Sequence, residues 1–278
     1  MTTFLVLGST GTVGAHLSQL LVNAGHTVRG ATRTPAQHPI AGVEAIPFDY
    51  SDPGTFAAAL DGVERLFLLT PPGYADAAAL LNPFLTEAFT AGLERIVLMT
   101  AQGVEHNDAI PLRQVELTLE ASGTPFVHLR PSWFSQNFHT FWGHGLRQHN
   151  TLALPAGDAR VGFIDARDIA AAAAGALTRE DIALDRGYEL TGPEAITHAE
   201  AAVHLSRALE RTITYQNIDD DAFRAQLAPS GLPDAYIDLL VGLFASVRAG
   251  AAASVTHDVK LLSGSEPRSV ATYALDHR

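Results

Sequence analysis

The chain has no cysteine, which excludes disulfides, thiolate catalysis and thiolate-held metal. It has a single lysine, Lys260, and none of its six tyrosines is followed by lysine four positions on. A Tyr-x-x-x-Lys relay, in which the lysine lowers the phenol pKa for proton transfer, is therefore excluded by counting. No apolar run approaches the roughly 20 residues of a membrane span. The alanine-rich stretch 169–177 is far too short. Basic residues are scarce: 18 Lys and Arg stand against 30 Asp and Glu, a net charge of −12. That sign repels phosphate backbones and acidic lipid surfaces, so neither nucleic acid nor membrane is expected as a partner. No basic leader precedes the first strand-like residues. With the missing cysteines, this fits a cytoplasmic protein.

What the chain does have is apolar residues, 47% of 278, enough to bury a sizeable core. Short β-type runs at 4–7, 27–31, 43–48, 65–69, 95–99 and 126–129 alternate with stretches whose apolar residues recur three and four apart, such as Val13, Leu17, Leu20 and Leu21. Strict alternation predicts an α/β fold, a Rossmann-type, doubly wound parallel sheet with helices on both faces. After about residue 150 the rhythm loosens into a strand or loop and a helix begun by Asp165, then "YELTG", a helix over 197–209, the strand "TITYQNI" and further helices. The expected organisation is a nucleotide-binding domain over 1–150. A small α/β substrate-side cap over 151–278 follows, with segments that can rejoin the main sheet.

Gly8, Gly11 and Gly14 form G-x-x-G-x-x-G between the first strand and the first helix. Such a turn permits positive φ, lets backbone approach a pyrophosphate and lets helix pack close to strand, while the helix amino terminus offers unpaired N–H groups and a positive dipole end. The turn residues Gly8, Thr10, Gly11, Thr12, Val13 and Gly14 are the candidate cofactor cradle. An NAD site carries an acid about 20 residues past the turn for the ribose hydroxyls. Here no Asp or Glu precedes Glu44, and Arg33 stands where the acid would, with Arg29 upstream. A guanidinium fork suits a 2′-phosphate, so NADP(H) is the expected cofactor. Asp49, after the third strand, is placed to flank the adenine.

The order of "GSTGTVG", "IVLMTAQGVE", Glu116 with Leu119, Ser122 and Gly123, "LRPSWFSQNF", "DARDIAAAAAG", "YELTG", "ITYQNIDDDAF" and "GLPD" resembles the NmrA-like, atypical short-chain dehydrogenase/reductases. Within them the likeness is to the type-2 NAD(P)H:quinone oxidoreductases. The resemblance spans nearly the whole chain and implies a Rossmann-type domain, a small carboxy-terminal substrate-side domain and NADP(H) preference. The isoflavone-type branch relies on a lysine that this chain lacks.

Ligands of open α/β sheets sit beyond the strand carboxyl ends. Thr70, Pro71 and Pro72 follow the fourth strand, Thr100, Ala101 and Gln102 the fifth, and Pro131 and Trp133 the sixth; all are cofactor candidates. Tyr74, Gln102, Phe134, Gln136, Asn137 and Phe138 are substrate candidates, since aromatic faces with few polar groups suit a flat hydrophobic molecule. Core packing of Trp133, Phe134 and Phe138 is the competing reading. Asp165 and Asp168 have the spacing of helix caps. His139, His144 and His149 recur every five residues, which is no zinc motif, and Asp219, Asp220 and Asp221 read as a helix start. No metal is expected. The expected activity is NADPH-dependent hydride transfer to a small conjugated acceptor of quinone, enone, azo or iminium type, by a monomer or homodimer, with no catalytic side chain identified. The rival is a non-catalytic NADP(H)-sensing regulator. A sugar-nucleotide epimerase needs the missing tyrosine–lysine pair.

Overall fold

The structure, a computed structural model, describes residues 2–278. In chain order the elements begin β1 (Thr3–Val6), α1 (Gly14–Asn23), β2 (Thr27–Thr32), β3 (Val43–Pro47), α2 (Phe56–Leu60), β4 (Arg65–Leu69), α3 (Ala77–Thr90) and β5 (Arg95–Met99). There follow α4 (Pro111–Glu120), β6 (Phe126–Pro131), α5 (Gly143–His149), β7 (Thr151–Leu154), β8 (Arg160–Val161), α6 (Ala166–Thr178) and β9 (Arg186–Leu190). The chain ends with β10 (Ile196–Thr197), α7 (His198–Ala208), β11 (Thr214–Asn217), α8 (Asp220–Leu227), α9 (Asp234–Arg248), α10 (Asp258–Ser263) and α11 (Val270–Asp276).

Seven strands form one sheet in the order β3-β2-β1-β4-β5-β6-β9, and β1 to β6 pair in parallel. This is the doubly wound order expected from the alternation. The strands are apolar on both faces because both faces are covered. Leu5, Leu66, Leu68, Ile96 and Leu98 join one core with Phe56, Phe84 and Leu119 of α2, α3 and α4. Their alternate neighbours Phe4, Val6, Phe67 and Val97, fully buried as well, point to the opposite face. There α6 packs against α1 and α10. The alanine run of α6 is thus a buried packing surface. No helix among the described residues is long and apolar enough to cross a membrane.

The chain divides into two compact units. One comprises Met1–Pro131, Ala166–Glu189 and Asp258–Ser265; the other comprises Ser132–Asp165, Leu190–His257 and Glu266–Arg278. The first break falls at Pro131, where β6 ends, and not at residue 150. The segments carrying α6, most of β9 and α10 belong with the sheet. Arg95 and Arg65 explain part of that return: Arg95 donates to the carbonyls of Ala176 and Arg179, and Arg65 to that of Leu177, so two sheet arginines grip the end of α6.

The second unit has its own core of Phe138, Trp142, Phe163, Phe244 and Tyr273, with β8 antiparallel to β10 and β11 parallel to β7. Helix α7 starts at a capping box between Thr197 and Glu200, and Asp219 caps α8 by accepting from the Ala222 N–H at 2.7 Å. At the first position of α7, His198 is fully buried among the rings of Trp142, Phe163, Tyr215 and Phe244. Neither ring nitrogen has a hydrogen-bond partner among the described residues. Burial lowers its pKa to about 4, so the folded protein holds this imidazole neutral while the unfolded chain protonates it near pH 6.5.

Stability carried by this group is present above pH 6.5 and is lost as the pH falls towards 4. Between pH 7 and pH 5 the loss should be about 2 kcal/mol, on the order of 1.4 kcal/mol per pH unit below 6.5. Denaturant unfolding of the unmodified chain and of His198→Leu should show that difference widening as the pH falls. Parallel curves for the two proteins would contradict the assignment.

Candidate functional site

Between β1 and α1 the chain makes a tight turn. Gly8 has φ of +67°, where a side chain is strained. A Cβ on Gly14 would stand 2.1 Å from the Gly8 carbonyl oxygen, so only glycine lets α1 begin this close to the turn. Thr10, Gly11 and Thr12 are exposed at its outer side, whereas Val13 and Gly14 are buried. The amino terminus of α1 has no side-chain cap and no acid in its first turn. The orphan N–H groups and positive dipole end of such a terminus suit an anion. The turn is braced from beneath by a residue that the glycine pattern passes over. The buried Ser9 hydroxyl donates to the Ala31 carbonyl at 3.2 Å and meets Nε2 of His38 at 3.0 Å. Gly30 makes room for both, since a Cβ there would lie 2.8 Å from Ser9 Oγ and 2.7 Å from His38 Nε2. A glycine inside the strand-like "TVRGAT" was the available signal of that close approach.

Arg33 directly follows β2 and is exposed. Its charge reaches Asp49: hydrogen bonds from Ser51 hold the Asp49 carboxyl below the usual carboxylate range, and Arg33 adds to the effect. Arg29 is committed elsewhere, donating to the carbonyls of Ala59 and Asp61. Beyond β4, Thr70 carries a buried hydroxyl with no hydrogen-bond partner among the described residues. Such an orphan at the carboxyl end of a central strand fits a ligand hydroxyl or phosphate oxygen. Pro71 is half-buried and Pro72 exposed beside it, and Tyr74 is 50% exposed.

The loop after β5 is tied to β6 by backbone: the Thr100 N–H donates to the Leu129 carbonyl at 2.8 Å and the Gln102 N–H to the Pro131 carbonyl at 3.1 Å. Beneath it lies Glu116 of α4, fully buried. Its Oε1 accepts from Thr100 Oγ1 at 2.8 Å and Arg130 Nε at 2.9 Å; its Oε2 accepts from Arg130 Nη2 and Arg113 Nη1, both at 2.8 Å. Burial pushes the Glu116 carboxyl up, but these donors prevail and hold it low and ionised. Glu116, Glu120 and His128 bring ligand-type atoms within 4.8 Å of one another. Four donors fill the lone pairs of Glu116, however, and Arg113 and Arg130 already supply its countercharge. Thr100, placed by sequence at the nucleotide, therefore has its proton committed inside the protein. Sequence reasoning used Glu116 and Arg130 as family markers without seeing that they form one bidentate pair.

In the second unit, the strand-like segment at 133–135 is locked to Ile164, which donates to the Trp133 carbonyl at 2.9 Å and accepts from the Ser135 N–H at 2.7 Å. Trp133 is half-buried against Trp142 and Phe244. Phe134 and Asn137 are half-buried too. Two substrate candidates are placed differently from expectation. Phe138 is only 1% exposed and packs on Trp142 and Phe163, so it is core. Gln136 is buried and donates its amide to Asp165 at 3.0 Å. In the 3₁₀ turn 135–138 Ser135, Gln136 and Phe138 are buried and Asn137 is half-buried, which the aromatic pattern alone did not reveal.

A family description, the NmrA-like family, matches residues 1–248. The uncharacterized oxidoreductase YesF of Bacillus subtilis is 33% identical over 276 residues, covering 98% of this chain and 94% of that protein. The NAD(P)H azoreductase of Xenophilus azovorans is 30% identical over 280 residues, covering 98% and 97%. Among solved structures, the NADPH-dependent quinone oxidoreductase QOR2 of Escherichia coli in complex with NADPH superposes with a TM-score of 0.84 at 25% identity, covering 99% of each chain. This chain belongs to the NmrA-like family.

Proposed function

We propose that this protein is an NADPH-dependent oxidoreductase that passes hydride to a flat conjugated acceptor of quinone, enone, azo or iminium type, without a tyrosine–lysine proton relay. The observation that carries the reading is the uncapped amino terminus of α1 behind the glycine turn, with Arg33 standing after β2 where an acid would select NAD. Its support among relatives is the naming of one for NAD(P)H and azo reduction and of another for NADPH and quinone.

The nicotinamide nucleotide supplies the hydride. The backbone of Gly8, Thr10, Gly11, Thr12, Val13 and Gly14 holds the pyrophosphate, Arg33 the 2′-phosphate, and Asp49 the adenosine end. Thr70 gives the nucleotide its unpartnered hydroxyl, and Pro71 and Pro72 form a rigid wall. Thr100, Ala101, Gln102, Pro131 and Trp133 complete the cofactor contacts. Tyr74, Gln102, Phe134 and Asn137 meet the acceptor. The Thr100 hydroxyl donates to Glu116, so it protonates nothing else. A quinone, azo compound or enone accepts hydride into a delocalised system and takes its proton from water; an iminium needs none. What the protein contributes is alignment and exclusion of bulk water.

Two outcomes follow. NADPH should bind at least tenfold more tightly than NADH, because a charge-assisted bond to phosphate is worth about 1.5–3 kcal/mol. Arg33→Ala should erase most of the preference by calorimetry; equal affinities in the unmodified protein would defeat it. In an NADPH-oxidation screen against quinones, enones, azo dyes and imines, Phe134→Ala should lower turnover with its melting temperature and NADPH affinity kept. Phe138→Ala should instead weaken the fold by about 3–5 kcal/mol. Tight NADPH binding with no turnover of any acceptor marks a nucleotide sensor.

A further inference from the structure

The second unit contains a cavity of about 190 Å³ that the proposed chemistry does not use. Its apolar lining comes from Phe138, Leu146, Leu205 and Leu209, and its remaining lining includes His139, Arg147, Arg211, Tyr273 and His277. In a chain of net charge −12, two arginines and two histidines line this one hollow, and no carboxylate does among the described lining residues.

The rings are organised. Tyr273 of α11 stacks on His277 with centroids 4.4 Å apart and on His139 at 5.5 Å, and the two histidines lie 5.0 Å apart. The Tyr273 hydroxyl bonds to Nδ1 of His139, and Nδ1 of His277 donates to the Tyr273 carbonyl at 2.9 Å. Each arginine is anchored by a backbone carbonyl: Arg147 Nη1 donates to that of His139 at 3.0 Å and Arg211 Nη2 to that of Leu146 at 3.3 Å. A guanidinium has five N–H donors in a planar fork, so each retains donors for an anion. Burial first, then His277 and Arg147, lower the His139 pKa, and the buried Asp165 opposes them without undoing the shift.

We infer that this cavity binds a small aromatic carboxylate, its ring against the apolar lining and the stacked rings, its carboxylate on Arg147 and Arg211. Size sets the class. A cavity of about 150 Å³ holds benzene, whereas drug-sized ligands need roughly 300 Å³ or more; one substituted ring fits. The flat ring matches the stack, and the planar carboxylate matches the guanidinium fork. Apart from Phe138, which the structure moves from the acceptor candidates to the core, this site shares no residue with those proposed for nucleotide or acceptor, and it stands independently of that proposal.

The test is titration of the full chain, labelled with ¹⁵N-histidine, with benzoate and with benzamide, following the ring resonances of His139 and His277, assigned with His277→Gln. Benzoate should shift both rings saturably, benzamide should bind at least about tenfold more weakly, and the exposed-residue double variant Arg147→Gln, Arg211→Gln should lose about tenfold or more in benzoate affinity. Equal binding of the two probes, or benzoate shifts confined to other histidines, overturns the inference. So does undiminished affinity in a double variant of unchanged melting temperature. Should the double variant melt early, the benzoate–benzamide comparison in the unmodified chain decides alone.

Discussion

Everything at the nucleotide end of this molecule depends on one approach: the α carbon of Gly14 lies against the Gly8 carbonyl, where a Cβ would be 2.1 Å from the oxygen. That proximity starts α1 directly at the end of β1, so the helix points its uncapped terminus at the carboxyl ends of the central strands. A larger residue would push the helix outward and move its N–H groups away from the turn. Ser9 and His38 fix the same turn from below through β2. The anion-binding character proposed for this turn therefore rests on backbone packing, with Arg33 the one basic side chain assigned to it, and an acidic chain can carry it.

A second constraint governs the neighbouring loop. Glu116 is buried with its two oxygens shared among Thr100, Arg113 and Arg130. Removing Arg130, which makes two of the four bonds, would leave a buried charge only partly compensated, which costs more than an exposed ion pair contributes. The network holds the loop from Thr100 to Gln102 at a fixed height above β5 and β6. It also withdraws the one hydroxyl that position offers as a proton donor. The missing tyrosine–lysine pair and the committed threonine are what the proposed choice of acceptors rests on.

The sheet was legible because its signals are local. Six strands and their alternation follow from apolar runs of buried parallel strands, and the tight turn before α1 from three glycines in that context. The unit boundary was not legible at 150, because the return of α6 and α10 to the sheet depends on long-range grips such as Arg95 on Ala176 and Arg179. The same limit applies to Phe138 and Gln136: aromatic and amide residues in "WFSQNF" look alike in sequence, and only the 3₁₀ turn decides which face inward. The Glu116 network reaches across turns and strands to Thr100 and Arg130, and His139 stacks on Tyr273 from 134 residues away. Spacing could not reveal them.

The most direct test of the account is the fate of the hydride. NADPH deuterated at the transferring position should label the carbon of an activated enone or iminium, where the new C–H bond does not exchange with water. The account predicts one deuterium per turnover on product. Quinones test turnover only, because their label is lost by exchange. Product formed without deuterium, or tight NADPH binding with no product from any acceptor class, would contradict it.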